Sequence, residues 1–519
     1  MKIAQVKTSK EVSSYHADPL SLYQHLTHDA PHTMLLESAE IDSKDHLKSI
    51  VMTHAAMMIR CDNYRLTFTA LTANGHKLLQ GIQGFFRQAE SDLDGDVLTI
   101  ILSRAVAQLD EDARLKSNSP LDGLRALIKE IECGDAPGFE DLFLGGVLAY
   151  DLIDTVEPLP QVPLGDNTCP DYLFYLAETL ILIDHQQQQA NVVTHEFSAG
   201  NSLADSDYAS VLKQRVQTLQ TLSDEEVSVN ELVTLDAQTR VNISDDDFKA
   251  TVNELKSNIV AGDIFQVVPS RSFNLPCPNT LGAYRALRQT NPSPYMFYFR
   301  GDDFTLFGAS PESALKYEAH TNQVEIYPIA GTRKRGKTAD GDIDFDLDSR
   351  IELELRLDKK ELSEHLMLVD LARNDIARIS QSGSRKVAEL LKVDRYSHVM
   401  HLVSRVTGQL RSDLDALHAY QACMNMGTLT GAPKVSAAQL IRAAEKSRRG
   451  SYGGAVGYLN GLGDMDTCIV IRSAFVKDGT AHIQAGAGVV FDSDPQAEAD
   501  ETRQKAQAVI SAIKLGGGL

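Results

Sequence analysis

The 519-residue sequence lacks the excess of basic residues that nucleic-acid binding requires. It carries 50 Lys and Arg against 71 Asp and Glu, which gives a formal net charge of -21 at pH 7. A protein that binds a polyanion needs a basic face that releases counterions. Nucleic-acid binding is therefore disfavoured, and any anionic ligand needs a local reversal of charge from Arg, Lys, a helix N-terminus or a metal ion.

The sequence also lacks any apolar run long enough to span a bilayer. Residues 1–16 are polar and contain no apolar core of a signal peptide. The six cysteines stand far apart and none forms a C-x-x-C pair, which disfavours a zinc ribbon or a redox motif. We therefore expect a cytoplasmic protein without membrane contact, whose thiols are reduced and mostly buried.

Apolar periodicity and composition predict two domains. Residues 1–222 mix strand-like runs with helices, residues 223–242 form a polar and acidic connection, and residues 243–519 form the second domain. Strands that follow one another in hairpins, with separate helices, favour an α+β layered fold of largely antiparallel sheets with outer helices.

The second domain has the clearer elements. A helix is predicted to begin after Ser244 and to end at Gly262, because the first is a good N-cap and the second a good C-terminal stop. Asp478-Gly479 is a hairpin signal between two strands. The other predicted elements are helices over residues 281–288, 359–379 and 496–513 and strands over residues 264–271, 295–300, 304–309, 324–329, 467–476 and 481–491. The strand at 324–329 is expected to lead into a glycine-rich basic turn.

Two pairs of glutamates share one spacing on two predicted helices. Glu361 and Glu364 lie three residues apart, so both carboxylates share one helix face, and Glu498 and Glu501 repeat this spacing on the last helix. Two such pairs suit a hard divalent cation, which prefers carboxylate oxygens. A solvated helix face is the alternative interpretation, and spacing alone favours it because surface glutamates are common.

Other candidates are single polar groups in apolar surroundings. Arg472 interrupts an apolar strand run, so it needs a partner, either an anionic ligand or an internal carboxylate. Glu312, at a strand end, could have a raised pKa and donate a proton. His401 lies in an apolar stretch, where a hydrogen-bonded core residue is the more common case. Gln484 to Gly488 ends a strand with two glycines, where backbone N–H groups could approach a ligand.

Taken together, ordered strings of the second domain resemble the chorismate-utilising enzyme family. The strings are Gly262-Asp-Ile-Phe-Gln-Val-Val-Pro-Ser-Arg271, Gly308-Ala-Ser-Pro-Glu-Ser313, Pro328-Ile-Ala-Gly-Thr-Arg-Lys-Arg-Gly336, Glu364-His-Leu-Met-Leu-Val-Asp-Leu-Ala-Arg-Asn-Asp375, Val399-Met-His-Leu-Val-Ser404, Gly427-Thr-Leu-Thr-Gly-Ala-Pro-Lys434, Tyr452-Gly-Gly-Ala-Val-Gly-Tyr458 and the segment with Glu498 and Glu501. The resemblance implies the fold of that family and a site for chorismate, which is a dianion.

The resemblance also implies a role for each matched residue. It implies Mg²⁺ ligation by Glu364 and Glu501, with Glu361 and Glu498 completing the acidic ring partly through water, and Mg²⁺ would bind the ring carboxylate of chorismate. The implied substrate contacts are Gly331, Thr332, Tyr452, Arg472, Gly486, Ala487, Gly488 and Lys505, with Arg472 and Tyr452 at the enolpyruvyl carboxylate. The implied catalytic residues are Glu312, which protonates the departing C4 hydroxyl, His401, which assists the later elimination, and Thr428.

Two departures from the family patterns indicate the nucleophile and the product. Family members that add water carry a lysine base where this sequence has Gln266, and an amide cannot act as a base, so ammonia is expected. The aminodeoxychorismate synthases resemble a pattern with lysine before Gly-Thr, where this sequence has Ala330. We therefore expect amination at C2 and loss of pyruvate, as in the anthranilate synthases. An aminodeoxychorismate synthase component is the alternative.

The N-terminal part adds a second resemblance, to the tryptophan feedback site of the anthranilate synthases. Leu35-Leu-Glu-Ser38 and Asn291-Pro-Ser-Pro-Tyr-Met-Phe297 carry it, and simple core packing is the other interpretation of the first string. The implied inhibitor contacts are Ser38, Pro294, Tyr295 and Met296. A catalytically silent tryptophan sensor is an alternative of a different class, and the four glutamates with Arg472 argue against it.

A glutaminase motif is missing as well. None of the six cysteines lies in a Gly-x-Cys-x-Gly nucleophile turn. The resemblance therefore implies a separate glutamine amidotransferase subunit that supplies ammonia, in a heterotetramer.

Overall fold

Long antiparallel strands that pair across the chain form the framework of the fold. The structure, a computed structural model, describes residues 2–38, 48–104, 110–134, 138–199, 208–222, 232–338, 340–396 and 399–518. Within these ranges the strands are β1 (Ala4–Ser13), β2 (Thr33–Glu37), β3 (Lys48–Asp62), β4 (Arg65–Ala70), β5 (Glu90–Asp94), β6 (Val97–Ile101), β7 (Ile131–Glu132), β8 (Phe143–Leu148), β9 (Tyr172–Asp184), β10 (Gln189–Ala199), β11 (Arg240–Val241), β12 (Gln266–Val267), β13 (Ser270–Pro276), β14 (Tyr295–Arg300), β15 (Phe304–Ser310), β16 (Ser313–Glu318), β17 (Gln323–Ile326), β18 (Ile329–Lys334), β19 (Lys386–Arg395), β20 (Val399–Gln409), β21 (Gly431–Ala432), β22 (Ala455–Asn460), β23 (Met465–Ile469), β24 (Ser473–Lys477) and β25 (Thr480–Gly486).

Helices cover these sheets from outside. They are α1 (Pro19–Thr27), α2 (Ala73–His76), α3 (Leu79–Phe85), α4 (Glu111–Leu115), α5 (Asp122–Glu130), α6 (Tyr208–Thr221), α7 (Asp245–Ala261), α8 (Thr280–Thr290), α9 (Phe345–Leu357), α10 (Lys359–Ile379), α11 (Ala416–Cys423), α12 (Gly427–Thr430), α13 (Lys434–Glu445) and α14 (Pro495–Gly516), with a short 3-10 helix at Tyr150–Thr155. The predicted α+β class is confirmed.

Local capping explains why the site helices begin where they do. Ser244 accepts a hydrogen bond from the Asp247 backbone and Gly262 ends α7 with φ +86°, as predicted. Asp358 caps α10 by accepting from the Lys360 and Glu361 backbone N–H groups. The structure describes no helix long and apolar enough to cross a membrane.

Strands from both predicted domains join one hydrogen-bonded network. β2 pairs with β14, and β8 pairs with β22, in antiparallel register. Strand pairing therefore joins residues on both sides of the predicted connection at 223–242. Residues 223–231 of that connection lie outside the described part. The division into 1–222 and 243–519 stays a prediction.

The C-terminal helix α14 is anchored by its apolar half. Its residues Val509 and Ile513 pack in one buried cluster with Leu281, Tyr284 and Leu287 of α8. Each fully buried side chain of this size contributes about 1.5–3 kcal/mol. This packing fixes the orientation of the whole helix, including its N-terminal half, where Glu498 and Glu501 lie.

Four predicted strands are wrong in extent, and three of them are broken. The strand predicted at 264–271 is β12 and β13, separated at Pro269, and they pair with different partners, β21 and β25. The strand at 324–329 ends before Pro328, and part of the expected basic turn, Arg333 and Lys334, lies in β18. Proline has no backbone N–H to donate, so a ladder is interrupted there.

The third break lies between β23 and β24, where the sequence predicted one strand over 467–476. Arg472 has φ +47° there, outside the extended region. The hairpin turn at Asp478-Gly479 is confirmed, with φ +50° and +69°, but the strand that follows it ends at Gly486 and does not reach Phe491.

Candidate active site

The strand breaks and two helix faces bring the predicted site residues together. β18 and β20 place Thr332 opposite His401. The end of β25 carries Gly486, while α10 and α14 carry the glutamate pairs. Residues separated by more than 160 positions in the sequence thus line one site.

Two of the four glutamates lie in a crowded acidic environment. The Glu364 carboxylate accepts a hydrogen bond of 3.0 Å from Gln266 Nε2. Burial raises its pKa, and the carboxylates of Glu361 and Glu501 raise it further. Glu498 is 2% exposed, its pKa is raised by burial and by Glu501, and its Oε2 has no hydrogen-bond partner among the described residues. The carboxylates of α10 and α14 therefore face one another.

The other two glutamates are held by cationic side chains. Arg333 Nη1 donates to Glu361 Oε1 at 2.7 Å, and its Nη2 donates to Asp358 at 2.8 Å. Lys505 Nζ lies 2.7 Å from Glu501 Oε1. In the described part of the chain, no three His, Cys, Asp or Glu side chains stand in a ready metal-ligand arrangement.

The donor set nevertheless fits a hard divalent cation. Glu498 has a buried oxygen that no described residue satisfies, and the acidic neighbours of Glu364 destabilise its charged form. Positive charge placed between the helices would remove both costs. Glu361 and Glu501 would need to leave or share their ion pairs with Arg333 and Lys505. Carboxylates alone favour Mg²⁺ over softer metals.

Glu312 is a buried acid that stays protonated near neutral pH. The Thr428 hydroxyl donates to Glu312 Oε1 at 2.7 Å. Burial raises the pKa of Glu312 to about 8, against the opposing effects of Thr428, Lys505 and Arg472. The carboxylic acid can therefore donate a proton at pH 7, which an ordinary glutamate cannot.

His401 is the opposite case, a histidine kept neutral. Its Nδ1 lies 2.8 Å from the Thr332 hydroxyl. Burial and then the charge of Arg472 lower its pKa to about 3. The imidazole is therefore neutral at pH 7, and it is a weak proton acceptor as long as no anion lies beside Arg472.

Arg472 has no carboxylate partner in the described structure. Its guanidinium forms neither a hydrogen bond nor an ion pair there, and burial lowers its pKa against the pull of Glu312 and Tyr396. Because Glu312 is largely protonated at pH 7, it does not neutralise this charge. An internal carboxylate, one of the two partners expected from the sequence, is thus not observed, and an anionic ligand is favoured.

Glycines stand at positions of the site where a side chain would collide with neighbouring site residues. A Cβ on Gly488 would stand 2.8 Å from Gln266 Nε2 and 3.2 Å from Glu364 Oε1, and one on Gly486 would stand 3.1 Å from the Tyr452 hydroxyl. Lys505 Nζ donates to the Gly486 carbonyl at 3.1 Å. The Ala487 N–H, a predicted substrate contact, donates instead to the Pro269 carbonyl.

A second candidate site is a cavity of about 850 Å³ formed by strands of both sequence halves. Ser38, Tyr295 and Met296 line it, together with Tyr458, Asp466 and Cys468. The Tyr295 hydroxyl donates to Asp466 at 3.1 Å. Pro294 is buried beside these residues but does not line the cavity. The volume of the cavity is in the range of small-molecule binding sites.

Sequence reasoning missed several residues of the active site. Arg333 was an undistinguished member of a basic run, and Arg449 and Glu445 carried no motif at all. Arg449 is fully buried beside Tyr452. Glu445 and Arg449 pair with each other four residues apart, but their other partners include Ser270 and Val268, more than 170 residues away, so no local pattern shows their role.

Comparison with known proteins agrees with this geometry. The family model described as chorismate binding enzyme matches residues 86–511. Anthranilate synthase component 1 of Vibrio cholerae is 58% identical over 514 residues, which covers 99% of this chain and 97% of the relative. The Escherichia coli protein of that name is 53% identical and covers 96% of this chain and 95% of its own length. This chain belongs to the chorismate-binding enzymes, in the family of anthranilate synthase component 1. It is accordingly an enzyme of the lyase class.

Solved structures of chorismate-utilising enzymes share its fold. Anthranilate synthase component I from Streptococcus pneumoniae superposes with a TM-score of 0.70 at 30% identity, covering 91% of this chain and 94% of that one. The menaquinone-specific isochorismate synthase of Escherichia coli gives a TM-score of 0.68 at 18% identity, over 99% and 95% of the two chains. The second likeness shows the fold alone.

Proposed function

We propose that this chain catalyses the Mg²⁺-dependent amination of chorismate at C2 by ammonia and then the elimination of pyruvate, which gives anthranilate. This is the first step of tryptophan biosynthesis. The observation that carries the proposal is the separation of charge in the site. Clustered glutamates lie on α10 and α14, and the unpaired Arg472 lies near the protonated Glu312.

This arrangement suits a dianionic substrate. A divalent cation held by Glu361, Glu364, Glu498 and Glu501 would neutralise one carboxylate of chorismate. The second carboxylate matches Arg472, with Tyr452 beside the backbone of Gly486. Unpaired charge in a partly buried site is costly, so binding of the opposite charge there is strongly favoured.

The two titratable groups match the two chemical steps. In the first step the C2–N bond forms and the C4–O bond breaks, and the proton of Glu312 leaves with the hydroxyl as water. In the second step the C2 proton is lost, the C3–O bond breaks, and the enolpyruvyl group leaves as pyruvate. His401 is the residue proposed to take this proton, because it is neutral, and a substrate carboxylate bound at Arg472 would offset the part of its lowered pKa that the arginine causes.

The choice of ammonia as the nucleophile follows from Gln266, whose side-chain amide cannot act as a base. Gln266 donates its amide to Glu364 and has no basic nitrogen, so activation of water by this residue is excluded. Neutral ammonia carries its own lone pair and needs no base. Because the relatives are named as component 1, we propose a partner, a glutamine amidotransferase subunit that supplies ammonia, in a heterotetramer. All six cysteines lie among the described residues and none is joined in a disulfide, which supports a cytoplasmic location.

Feedback inhibition by tryptophan is proposed for the 850 Å³ cavity. Ser38, Tyr295 and Met296 line it, and Pro294 directly precedes Tyr295 in the chain. The cavity and the active site share strands. Val456 and Tyr458 of β22 line the cavity and Tyr452 precedes that strand, while Cys468 of β23 lines it and Arg472 follows. Movement of this hairpin on ligand binding would displace both Tyr452 and Arg472.

Product analysis tests the proposal. The purified chain is incubated with chorismate, MgCl₂ and an ammonium salt, with and without tryptophan. We expect fluorescent anthranilate and one equivalent of pyruvate, with inhibition by tryptophan. A stable aminated diene without pyruvate would identify an aminodeoxychorismate synthase component instead. Efficient use of glutamine by the chain alone would contradict the proposed partner.

A further inference from the structure

A buried arginine, Arg449, lies behind the active site and forms hydrogen bonds in several directions. It is 2% exposed. Its Nη1 donates to the Leu429 carbonyl at 2.8 Å, and its Nη2 donates to the Val268 carbonyl at 2.7 Å. Its Nε and Nη2 donate to the Glu445 carboxylate at 2.9 and 2.5 Å. The guanidinium thus joins the end of α13, four residues away, to segments that lie 20 and 181 residues away in the sequence.

Glu445 extends this network to a further strand pair. It accepts hydrogen bonds from Ser270 N at 2.8 Å and from Ser270 Oγ at 2.7 Å. Ser270 pairs directly with Gly486 at the end of β25, and its hydroxyl accepts from Gln484 Nε2 at 2.8 Å. The ion pair therefore fixes the start of β13 against the glycines of the site.

Two aromatic rings complete the surroundings of Arg449. Its guanidinium carbon lies 4.6 Å from the ring centroid of Tyr150 and 5.5 Å from that of Tyr452. Both distances are typical of cation–π contacts. Arg449 therefore contacts Tyr452, a candidate substrate ligand, and Leu429, the neighbour of Thr428.

Stability alone does not explain such a residue. A buried ion pair is frequently no more stable than well-packed apolar side chains of similar volume, because both charges lose their hydration. An apolar side chain, however, would not bind the two carbonyls and the carboxylate at once. The planar fork of arginine gives these hydrogen bonds a fixed geometry that lysine cannot reproduce.

We propose that Arg449, together with Glu445, is a positioning residue that holds Thr428, Tyr452 and Gly486 in one fixed arrangement for the reaction. The inference rests on the proposed function of those three residues. Arg449 is not one of the residues proposed to contact the substrate, and it acts through Thr428, whose hydroxyl binds Glu312. Small displacements of such groups are expensive, because a shift of about 1 Å can lower a rate roughly 10²-fold.

The test is the variant Arg449→Lys, which keeps the charge and removes the fork. We expect kcat/KM for ammonia-dependent product formation to fall roughly 10- to 100-fold, with part of the loss in kcat. We also expect the high-pH limb of the kcat profile, the range in which kcat falls as Glu312 ionises, to shift to higher pH. The Thr428 hydrogen bond lowers the pKa of Glu312, as do Lys505 and Arg472, so a loosened Thr428 leaves the acid protonated to higher pH.

Thr428→Val supplies the second arm of the experiment. Alone it should move the high-pH limb in the same direction, and in the double variant with Arg449→Lys the two effects should be less than multiplicative. Arg285→Lys is the matched control. Arg285 is a buried arginine of α8 that binds Ser21 and Gln24, away from the site. It should lower thermal stability without moving the limb.

The outcomes separate the two claims. Wild-type product formation tests the proposed function, while the ratios between variants test the positioning role whatever the product is. The role is overturned if Arg449→Lys leaves the limb in place, or if its effect multiplies independently with that of Thr428→Val. If Arg449→Lys does not fold, Ser270→Ala removes one bond to Glu445, and an unchanged kcat/KM in that variant contradicts the proposal.

Discussion

The active site and the proposed inhibitor cavity differ in whether their buried polar groups are paired. Among the described residues of the active site, Arg472 has no anionic partner, Glu498 has an unsatisfied oxygen, and burial keeps Glu312 protonated. In the cavity, Glu37 accepts from the Tyr284 hydroxyl at 2.7 Å and pairs with Arg288 at 3.1 Å. The catalytic site therefore holds buried charged groups that lack a partner, whereas this buried carboxylate of the cavity is paired.

This difference indicates how each site selects its ligand. Unsatisfied buried charges lower the stability of the protein alone, and a ligand of complementary charge restores that loss on binding. A cavity with paired polar groups instead selects by shape and by a few hydrogen bonds. Substitutions in the first site should therefore change rate by orders of magnitude, and those in the second should change affinity modestly.

The largest effect is expected for Glu312→Gln. The amide cannot protonate a leaving hydroxyl, so kcat should fall roughly 10²- to 10⁴-fold. Wild-type kcat should fall above about pH 8, where Glu312 ionises, and the variant should lack this limb. The measurement is anthranilate fluorescence across a pH series. Glu325→Gln, which replaces another buried glutamate, is the control, and an equal loss there would remove the assignment.

The same variant should also be more stable at high pH. A carboxyl group whose folded pKa is raised gives stability that is lost as the pH rises from its unfolded value through about 8. Glu312→Gln removes this dependence. Its thermal midpoint should therefore exceed that of the wild type most clearly above about pH 8. An identical pH dependence of the two midpoints would show that Glu312 is not buried as a neutral acid.

Next in size is Glu364→Gln. We expect a loss of roughly 10²-fold in kcat, as for removal of one preorganised electrostatic contact in an active site. Like-charge repulsion from Glu361 and Glu501 is also relieved, so the variant should unfold at a higher temperature in EDTA. Exposed Glu354→Gln on α9 is the matched control. Undiminished turnover by Glu364→Gln would contradict the metal site.

Much of the fold around the active site could be predicted from local sequence. The features that could not be predicted have physical reasons. The caps at Ser244 and Asp358 act within one turn of a helix, so spacing shows where α7 begins and places the glutamates of α10 on one face. The breaks at Pro269 and Arg472 were missed because apolar periodicity does not record where a strand changes partners. Those breaks orient the catalytic side chains.

Partner choice was not predictable either. Arg333 binds Glu361, and Tyr295 binds Asp466, across 28 and 171 residues of sequence. Such pairs are set by tertiary packing, which no single sequence displays. The cavity was implied by resemblance alone, because its walls come from several strands and no chemistry-bearing motif marks them.

A smaller effect is expected for Ser38→Ala in the cavity. Loss of one hydrogen bond to the inhibitor, about 0.5–1.5 kcal/mol, should weaken tryptophan inhibition roughly two- to tenfold. Turnover without tryptophan should not change. The half-inhibitory concentration is compared with that of Ser9→Ala, an exposed serine on β1. Unaltered tryptophan sensitivity would mean that the inhibitor binds elsewhere. The cavity could then no longer be compared with the active site as a ligand site.

The smallest effect is expected for Arg333→Ala. A half-exposed ion pair contributes about 0.2–1 kcal/mol, so freeing Glu361 from Arg333 should tighten Mg²⁺ binding by up to about fivefold. Removal of a positive charge beside the carboxylates acts in the same direction. Calorimetric titration with MgCl₂ measures this without turnover, and Arg350→Ala, which removes a helix-surface pair with Asp346, is the control. Weaker binding would mean that Arg333 arranges Glu361 for the cation rather than competing with it.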